Sequence, residues 1–345
     1  MKAGDSLNRY RLLGDFTTAG GGQSKWTFAR RGAKDYFLKE FLAPTYPGGE
    51  APGSPEVKAR KRARCATFEA HHRSIMDALE PLSSAGGNLV VTADFFRHGA
   101  KYYKVTEKVD VASITPEAIA RLPLSERILV MLTATHSLNI LHRVNLVHGD
   151  LKPANVLIKQ MSPGRFTTKL IDFDNCFFAG EPAPPEELVG DPVYYSPELM
   201  AYVLLGDGGA ALGPKSDIFA LGVVFAQYVT GELPEFQPAR LSFPPLRYAA
   251  DIVRSGGRLR LRPAGLPRYV EGLIHLMLAA DPARRPSGDE VFRALKRMQS
   301  MAGPAVGGGK GGGDDEELAV TRARGPRLRG TLAARTAAAP GGPGA

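Results

Sequence analysis

His148-Gly149-Asp150-Leu151-Lys152-Pro153-Ala154-Asn155-Val156-Leu157-Ile158, followed by Leu170-Ile171-Asp172-Phe173-Asp174, decides how this chain is read. Asp150 is a carboxylate able to take up a hydroxyl proton. Asn155 and Asp172 offer the hard oxygen atoms that suit Mg²⁺. Lys152 offers positive charge to a moving phosphoryl group. Short apolar runs flank these groups, so the pattern predicts polar loops held by strands. Phosphoryl transfer from ATP rests on positioning and charge neutralisation more than on covalent chemistry, and these are the parts it needs.

The remaining chain bounds the architecture. Its 345 residues are 43% hydrophobic and 23% charged, which suits one large bilobal domain or two smaller ones. The net charge of +9 is scattered. Its one cluster, Lys58-Ala59-Arg60-Lys61-Arg62-Ala63-Arg64, reads as a solvated basic start of a helix, so no nucleic-acid partner is expected. Cys65 and Cys176 lie far apart and lack C-x-x-C spacing. Neither a disulfide framework nor a zinc site is expected, and a reducing, cytoplasmic location follows. The N-terminus carries no positive-then-apolar signal pattern. No run approaches the ~20 apolar residues of a membrane span. The longest apolar segment, Ile218 to Val229, is interrupted by Gly222 and Gln227 and reads as a buried helix.

Five strands are expected in the N-terminal part: Tyr10 to Phe16, Lys25 to Ala29, Asp35 to Phe41, Asn88 to Phe95 and Lys101 to Glu107. Gly20-Gly21-Gly22 turns between the first two, and Ala43 to Pro55 reads as a loop. Val57 to Leu79 reads as a helix with Phe68, His72, Ile75, Met76 and Leu79 near one face. From Pro116 the pattern becomes helical, with Ser125 to Arg143, Asp217 to Thr230, Pro267 to Ala279 and Ser287 to Met301. Ser287 and Glu290 form a capping-box pattern. Beyond Ala302 the chain is Gly-, Ala-, Pro- and Arg-rich and is expected to be disordered.

These motifs resemble those of the eukaryotic-like serine/threonine protein kinase family, in a bacterial-type variant with H-G-D in the catalytic loop. The resemblance implies an α+β, bilobal fold, with an N-lobe of a five-stranded antiparallel sheet plus one helix and a mainly helical C-lobe. It divides the chain into an extension (1–9), a kinase domain (10–301, lobes meeting near 108–109) and a tail (302–345). It implies ATP and Mg²⁺, with Mn²⁺ as a substitute. Asp150 becomes the base, Lys152 the phosphate contact, and Asn155 and Asp172 the metal ligands. Lys39 becomes the strand lysine on the α- and β-phosphates, and Glu69 the helix carboxylate that orients it. Gly20, Gly21 and Gly22 stand at an eroded G-x-G-x-x-G loop over the phosphates, with Gly21 alone in a family glycine position. Backbone groups of Glu107 and Val109 would contact adenine beside Thr106. Glu198 would pair with Arg285, and Asp217 would support the catalytic loop.

Three departures qualify the resemblance. Gly149 stands where the family usually has Arg, and Phe173 to Val193 contains no Ser, Thr or Tyr, so no phosphorylation switch is expected there. Asp174 replaces the glycine of D-F-G. Asp191 replaces a threonine, from where it could pair with Lys152 while repelling Asp150. The function expected is phosphoryl transfer to Ser/Thr hydroxyls of protein substrates. The alternatives are a small-molecule kinase of the aminoglycoside or choline type, which shares the H-G-D loop, and an ATP-binding pseudokinase scaffold. Ser196-Pro197-Glu198, Asp217 and Arg285 favour a protein acceptor. Thr321, Thr331 and Thr336 near tail arginines are candidate autophosphorylation sites.

Overall fold

The computed structural model describes residues 1–18, 24–48, 52–82, 87–109, 113–237, 248–261 and 266–301. The expectations for Gly20, Gly21, Gly22 and the tail lie outside the described residues.

The N-terminal sheet comprises β1 (Ser6–Leu7), β2 (Tyr10–Leu12), β3 (Ser24–Arg31), β4 (Lys34–Phe41), β5 (Thr92–His98) and β6 (Lys101–Glu107). Their spatial order is β1-β2-β3-β4-β6-β5, all antiparallel. The five expected strands are therefore joined by a sixth, built from the stretch read as an extension. A two-residue strand is too short to show alternation, and Asn8 with φ +53° makes the tight return to β2. Gly32, at φ +60°, opens the two-residue turn between β3 and β4, a position that favours a residue without Cβ.

Alternation gives the sheet two different faces. Tyr36 and Leu38 of β4 join Leu7, Tyr10, Leu12, Ala29, Tyr103 and Val105 in one cluster. Phe41, Tyr102 and Phe95 pack on the opposite face with Cys65 and Phe68 of α1 (Pro55–Leu79). Lys39 and Lys104 share that second face by register. Ser54 caps α1 by accepting from the Val57 amide, and Pro55 takes the first turn, where its missing N–H is no loss. Cys65, His72, Ile75 and Leu79 form the buried stripe of the helix.

The C-terminal part is mainly helical: α2 (Pro116–Ala120), α3 (Leu124–His142), α4 (Pro197–Leu205), α5 (Pro214–Thr230), α6 (Ala249–Arg254), α7 (Arg268–Met277) and α8 (Gly288–Met301). Its short strands are β7 (Leu146–Val147), β8 (Val156–Ser162), β9 (Arg165–Leu170), β10 (Phe177–Phe178), β11 (Glu235–Gln237) and β12 (Arg258–Arg260). The apolar run in α5 is buried on every side, as its composition predicts. It packs with α3, α7 and α8 around one large core. The capping box forms: the Ser287 amide donates to Glu290 at 2.7 Å, and the Glu290 amide donates to Ser287 Oγ at 3.3 Å. Antiparallel pairs β8–β9 and β7–β10 frame the two loops that the opening motif occupies.

Candidate active site

The loop carrying Asp150 hangs from a buried carboxylate. Asp217, in the first turn of α5, accepts from the His148 amide at 2.7 Å and the Gly149 amide at 3.1 Å. Its third partner is the His142 ring, 2.9 Å away. A carboxylate so enclosed requires several donors, and this one has them. Gly149 sits at φ +76°, and a Cβ there would collide with the carbonyl oxygen of Asn175. The arginine usual in this place is thus excluded by backbone geometry as well as by strain.

Two contacts join the Asp150 loop to the Asp172 loop. The Ile171 amide donates to the Asn155 carbonyl at 3.1 Å, and a His148 ring nitrogen lies 3.0 Å from the Ile171 carbonyl. The His148 ring also packs on buried Phe173. Asp150 is buried and fully engaged. Its Oδ2 accepts from Lys152 at 2.8 Å and from the Asn155 amide nitrogen at 3.1 Å, and its Oδ1 accepts from the Asp191 amide at 3.1 Å. Because the Asn155 amide nitrogen faces Asp150, the amide oxygen is directed elsewhere. That oxygen and the Asp172 carboxylate, at φ +63° in the left-handed region, are two hard oxygen donors, one on each of the two joined loops. The pair suits Mg²⁺, which takes one or two protein ligands plus substrate phosphates.

Lys39 on β4 reaches across to the Asp172 loop. Its ammonium lies 3.1 and 3.3 Å from the two Asp172 oxygens and 2.5 Å from Asp174. Asp174 also meets Lys104 of β6 at 2.6 Å. Burial alone would lower the Lys39 pKa, but Asp174 and Asp172 override it and hold the amine charged. Asp172 is pushed up from the usual carboxylate range by burial and by the neighbouring Asp174. Asp174 goes the other way: burial opposes its charge, yet Lys104 and Lys39 keep it ionised.

Glu69 does not fulfil its expected part. It accepts from the Tyr102 hydroxyl at 2.6 Å, and the carboxylates on Lys39 are Asp172 and Asp174. Tyr102 lies two residues before Lys104 on the face of β6 that packs against α1, and so intercepts the helix carboxylate. Asp191 is also corrected. Its carboxylate accepts from the Val193 amide at 3.0 Å, while Lys152 turns to Asp150. An intraloop turn of this kind is the common use of a loop aspartate. The Glu107 side chain binds Lys34 at 2.6 Å at the surface.

The segment after Asp172 is held by neutral and acidic groups. Asn175 donates to the Val189 carbonyl at 3.0 Å and accepts from its amide at 3.3 Å. Glu187 meets Arg64 of α1 at 2.9 Å. The Gly190 amide donates to the Tyr195 hydroxyl, and the Tyr194 hydroxyl donates to Gln227. Beyond it, Glu198 in the first turn of α4 receives Arg285 in a bidentate pair at 2.6 and 2.8 Å. Burial opposes the Glu198 charge, but Arg285 holds the carboxyl below its ordinary range.

The sequence model described as "Protein kinase domain" matches residues 58–295. The chain belongs to the protein kinase family. Its relatives include human "Serine/threonine-protein kinase PAK 4", 29% identical over 60% of this chain and 31% of that protein. A bacterial relative, "Serine/threonine-protein kinase PknL" of Mycobacterium tuberculosis (strain CDC 1551 / Oshkosh), is 28% identical over 57% of this chain and 47% of that protein. Both of these relatives are named as serine/threonine-protein kinases. The chain spans about a third of the length of the first curated relatives it matches. A solved structure, that of the "Cydia pomonella Granulovirus kinase, PK-1", matches with TM-score 0.56 at 18% identity. It covers 84% of this chain and 94% of that one, and bears out the kinase fold.

Within this kinase frame, the structure brings Lys39, Asp150, Lys152, Asn155 and Asp172 into two touching loops and a facing strand. Lys104 escaped the sequence reading. A signal existed, because a lysine inside the run Tyr102-Tyr103-Lys104-Val105 interrupts otherwise buried residues and needs a buried anion.

Proposed function

We propose that this kinase transfers the γ-phosphoryl group of ATP to Ser/Thr hydroxyls of protein substrates. The observation that carries the reading is the Asp150 cluster, with Lys152 and Asn155 on its carboxylate and Asp217 beneath its backbone. Asp150 accepts the hydroxyl proton of the acceptor. Lys152, already beside that carboxylate, faces the charge that develops on the phosphoryl oxygens. Lys39 holds the α- and β-phosphates. Asn155 and Asp172 would hold Mg²⁺, which when bound neutralises phosphate charge. Backbone groups of Glu107 and Val109 contact adenine. The buried Glu198–Arg285 pair braces α4 next to the catalytic loop and supports a protein acceptor over a small molecule. Free, buried Cys65 and Cys176 agree with a cytoplasmic enzyme. Among the described residues no helix is long and apolar enough to cross a membrane. Tail threonines Thr321, Thr331 and Thr336 are proposed autophosphorylation sites.

The acceptor class is tested by incubating the wild-type chain with γ-labelled ATP and Mg²⁺ in the presence of protein substrates, an aminoglycoside or choline. Label on protein phosphoserine and phosphothreonine is expected. Label confined to the small hydroxylated compounds would overturn the protein-kinase reading, and binding of ATP without any transfer would make the chain a pseudokinase.

A further inference from the structure

We propose that Asp174, held between Lys104 and Lys39, is the residue that positions Lys39 for the nucleotide phosphates, in place of a carboxylate from helix α1. The proposal rests on the kinase reading above and deepens it. Its first ground is register. Lys39 and Lys104 are direct cross-strand partners on β4 and β6. Like charges directly opposite on a sheet repel. Both ammonium-bearing side chains are largely buried, with 16% and 7% of their surface exposed. They can remain charged together there only with an anion between them.

Asp174 is that anion. One carboxylate oxygen lies 2.6 Å from Lys104 and the other 2.5 Å from Lys39. The usual glycine of D-F-G would take the carboxylate from Lys104 and leave Lys39 with Asp172 alone. Asp174 and Lys104 are therefore one device, a buried acid and a buried base that make sense together. The second ground is the loss of the alternative. Glu69 is occupied by Tyr102 at 2.6 Å, so α1 is tied to the sheet by a hydrogen bond and not through Lys39. Asp172 also touches Lys39, but it is the proposed metal ligand and has a second task. Asp174 has none. A shift of α1 would leave the Lys39 anchor in place, because the anchor belongs to the loop after Asp172.

The test compares Asp174→Asn, Glu69→Gln and the double variant Asp174→Asn/Lys104→Met with wild type. Three readouts are taken: thermal unfolding midpoint, calorimetric affinity for the Mg²⁺ complex of a non-hydrolysable ATP analogue, and kcat and KM for ATP. Asp174→Asn is expected to weaken nucleotide affinity and lower kcat/KM by roughly tenfold or more, as for loss of a charge-assisted contact to a phosphate-binding lysine. Glu69→Gln is expected to stay within about twofold in both. The double variant removes the stranded Lys104 charge, so its unfolding midpoint should return toward wild type while its nucleotide affinity stays as weak as that of Asp174→Asn. A merely structural Asp174 would recover both together. Glu69→Gln weakening binding as much as Asp174→Asn, or wild-type affinity in either Asp174 variant, would overturn the proposal. The affinities decide it whether or not the wild type transfers phosphate.

Discussion

At the scale of single residues, the chain departs from its family where backbone geometry or buried charge demands it. Gly149 is the plainest case. Its φ of +76° and the Asn175 carbonyl beside it leave no room for a side chain. Gly149→Arg is therefore expected to destabilise the fold by about 1–3 kcal/mol or more, through left-handed strain plus the collision. Denaturant unfolding checks this, and an unchanged stability would contradict it. The residues proposed to carry the chemistry were legible in the sequence: Asp150, Lys152, Asn155 and Asp172 lie within two short runs. Glu69 was not, because its partner depends on how a helix after a loop of uncertain length sits over the sheet. Lys104 was missed for a similar reason, since its anion lies 70 residues away.

At the scale of elements, two packings make predictions. His72 on α1 is wedged among Phe41, Phe68 and Phe95, with ring centroids at 5.0, 4.4 and 4.8 Å. Burial first, then the Lys104 charge, pushes its pKa from 6.5 down to about 3. Between those values the unfolded chain binds the proton and the folded chain does not. Stability from this group is complete above its unfolded value and is lost as pH falls, by up to about 1.4 kcal/mol per pH unit. Urea unfolding of wild type and His72→Phe between pH 7 and pH 5 should show a shallower slope for the variant, and parallel slopes would contradict the assignment. The second packing is α4 against the stretch before α8. Arg285→Met strands the Glu198 carboxylate in a buried setting and is expected to cost about 3–5 kcal/mol in denaturant unfolding. A loss below 1 kcal/mol would mean the pair is screened by solvent. Strands and long helices were readable from periodicity. The two-residue strand β1 was not, because only its pairing with β2 defines it.

At the scale of the whole molecule, the fold delivers a strand lysine, two loop carboxylates and an amide to one place, and does so with the Asp172-to-Glu198 segment already held. Asn175, Glu187 and the Tyr194 and Tyr195 hydroxyls hold that segment without a phosphate. Phosphatase treatment of the purified chain is expected to leave its activity within about twofold, as follows where no phosphate contributes to the active state. A large loss, with phosphate mapped to Tyr194, Tyr195 or Ser196, would contradict this. The bilobal plan was readable from the motif order alone, whereas the linkage of Lys39 to Asp174 required the sheet register. In the proposed reaction Asp150 drives phosphoryl transfer to protein. The measurement that meets it most directly is incorporation of label from γ-labelled ATP into protein serine and threonine by wild type and by Asp150→Ala, side by side. The account predicts incorporation by wild type and a loss on the order of 10²-fold or more in the variant, as for removal of a general base. Equal incorporation by the two chains, or none by wild type with either Mg²⁺ or Mn²⁺, would contradict it.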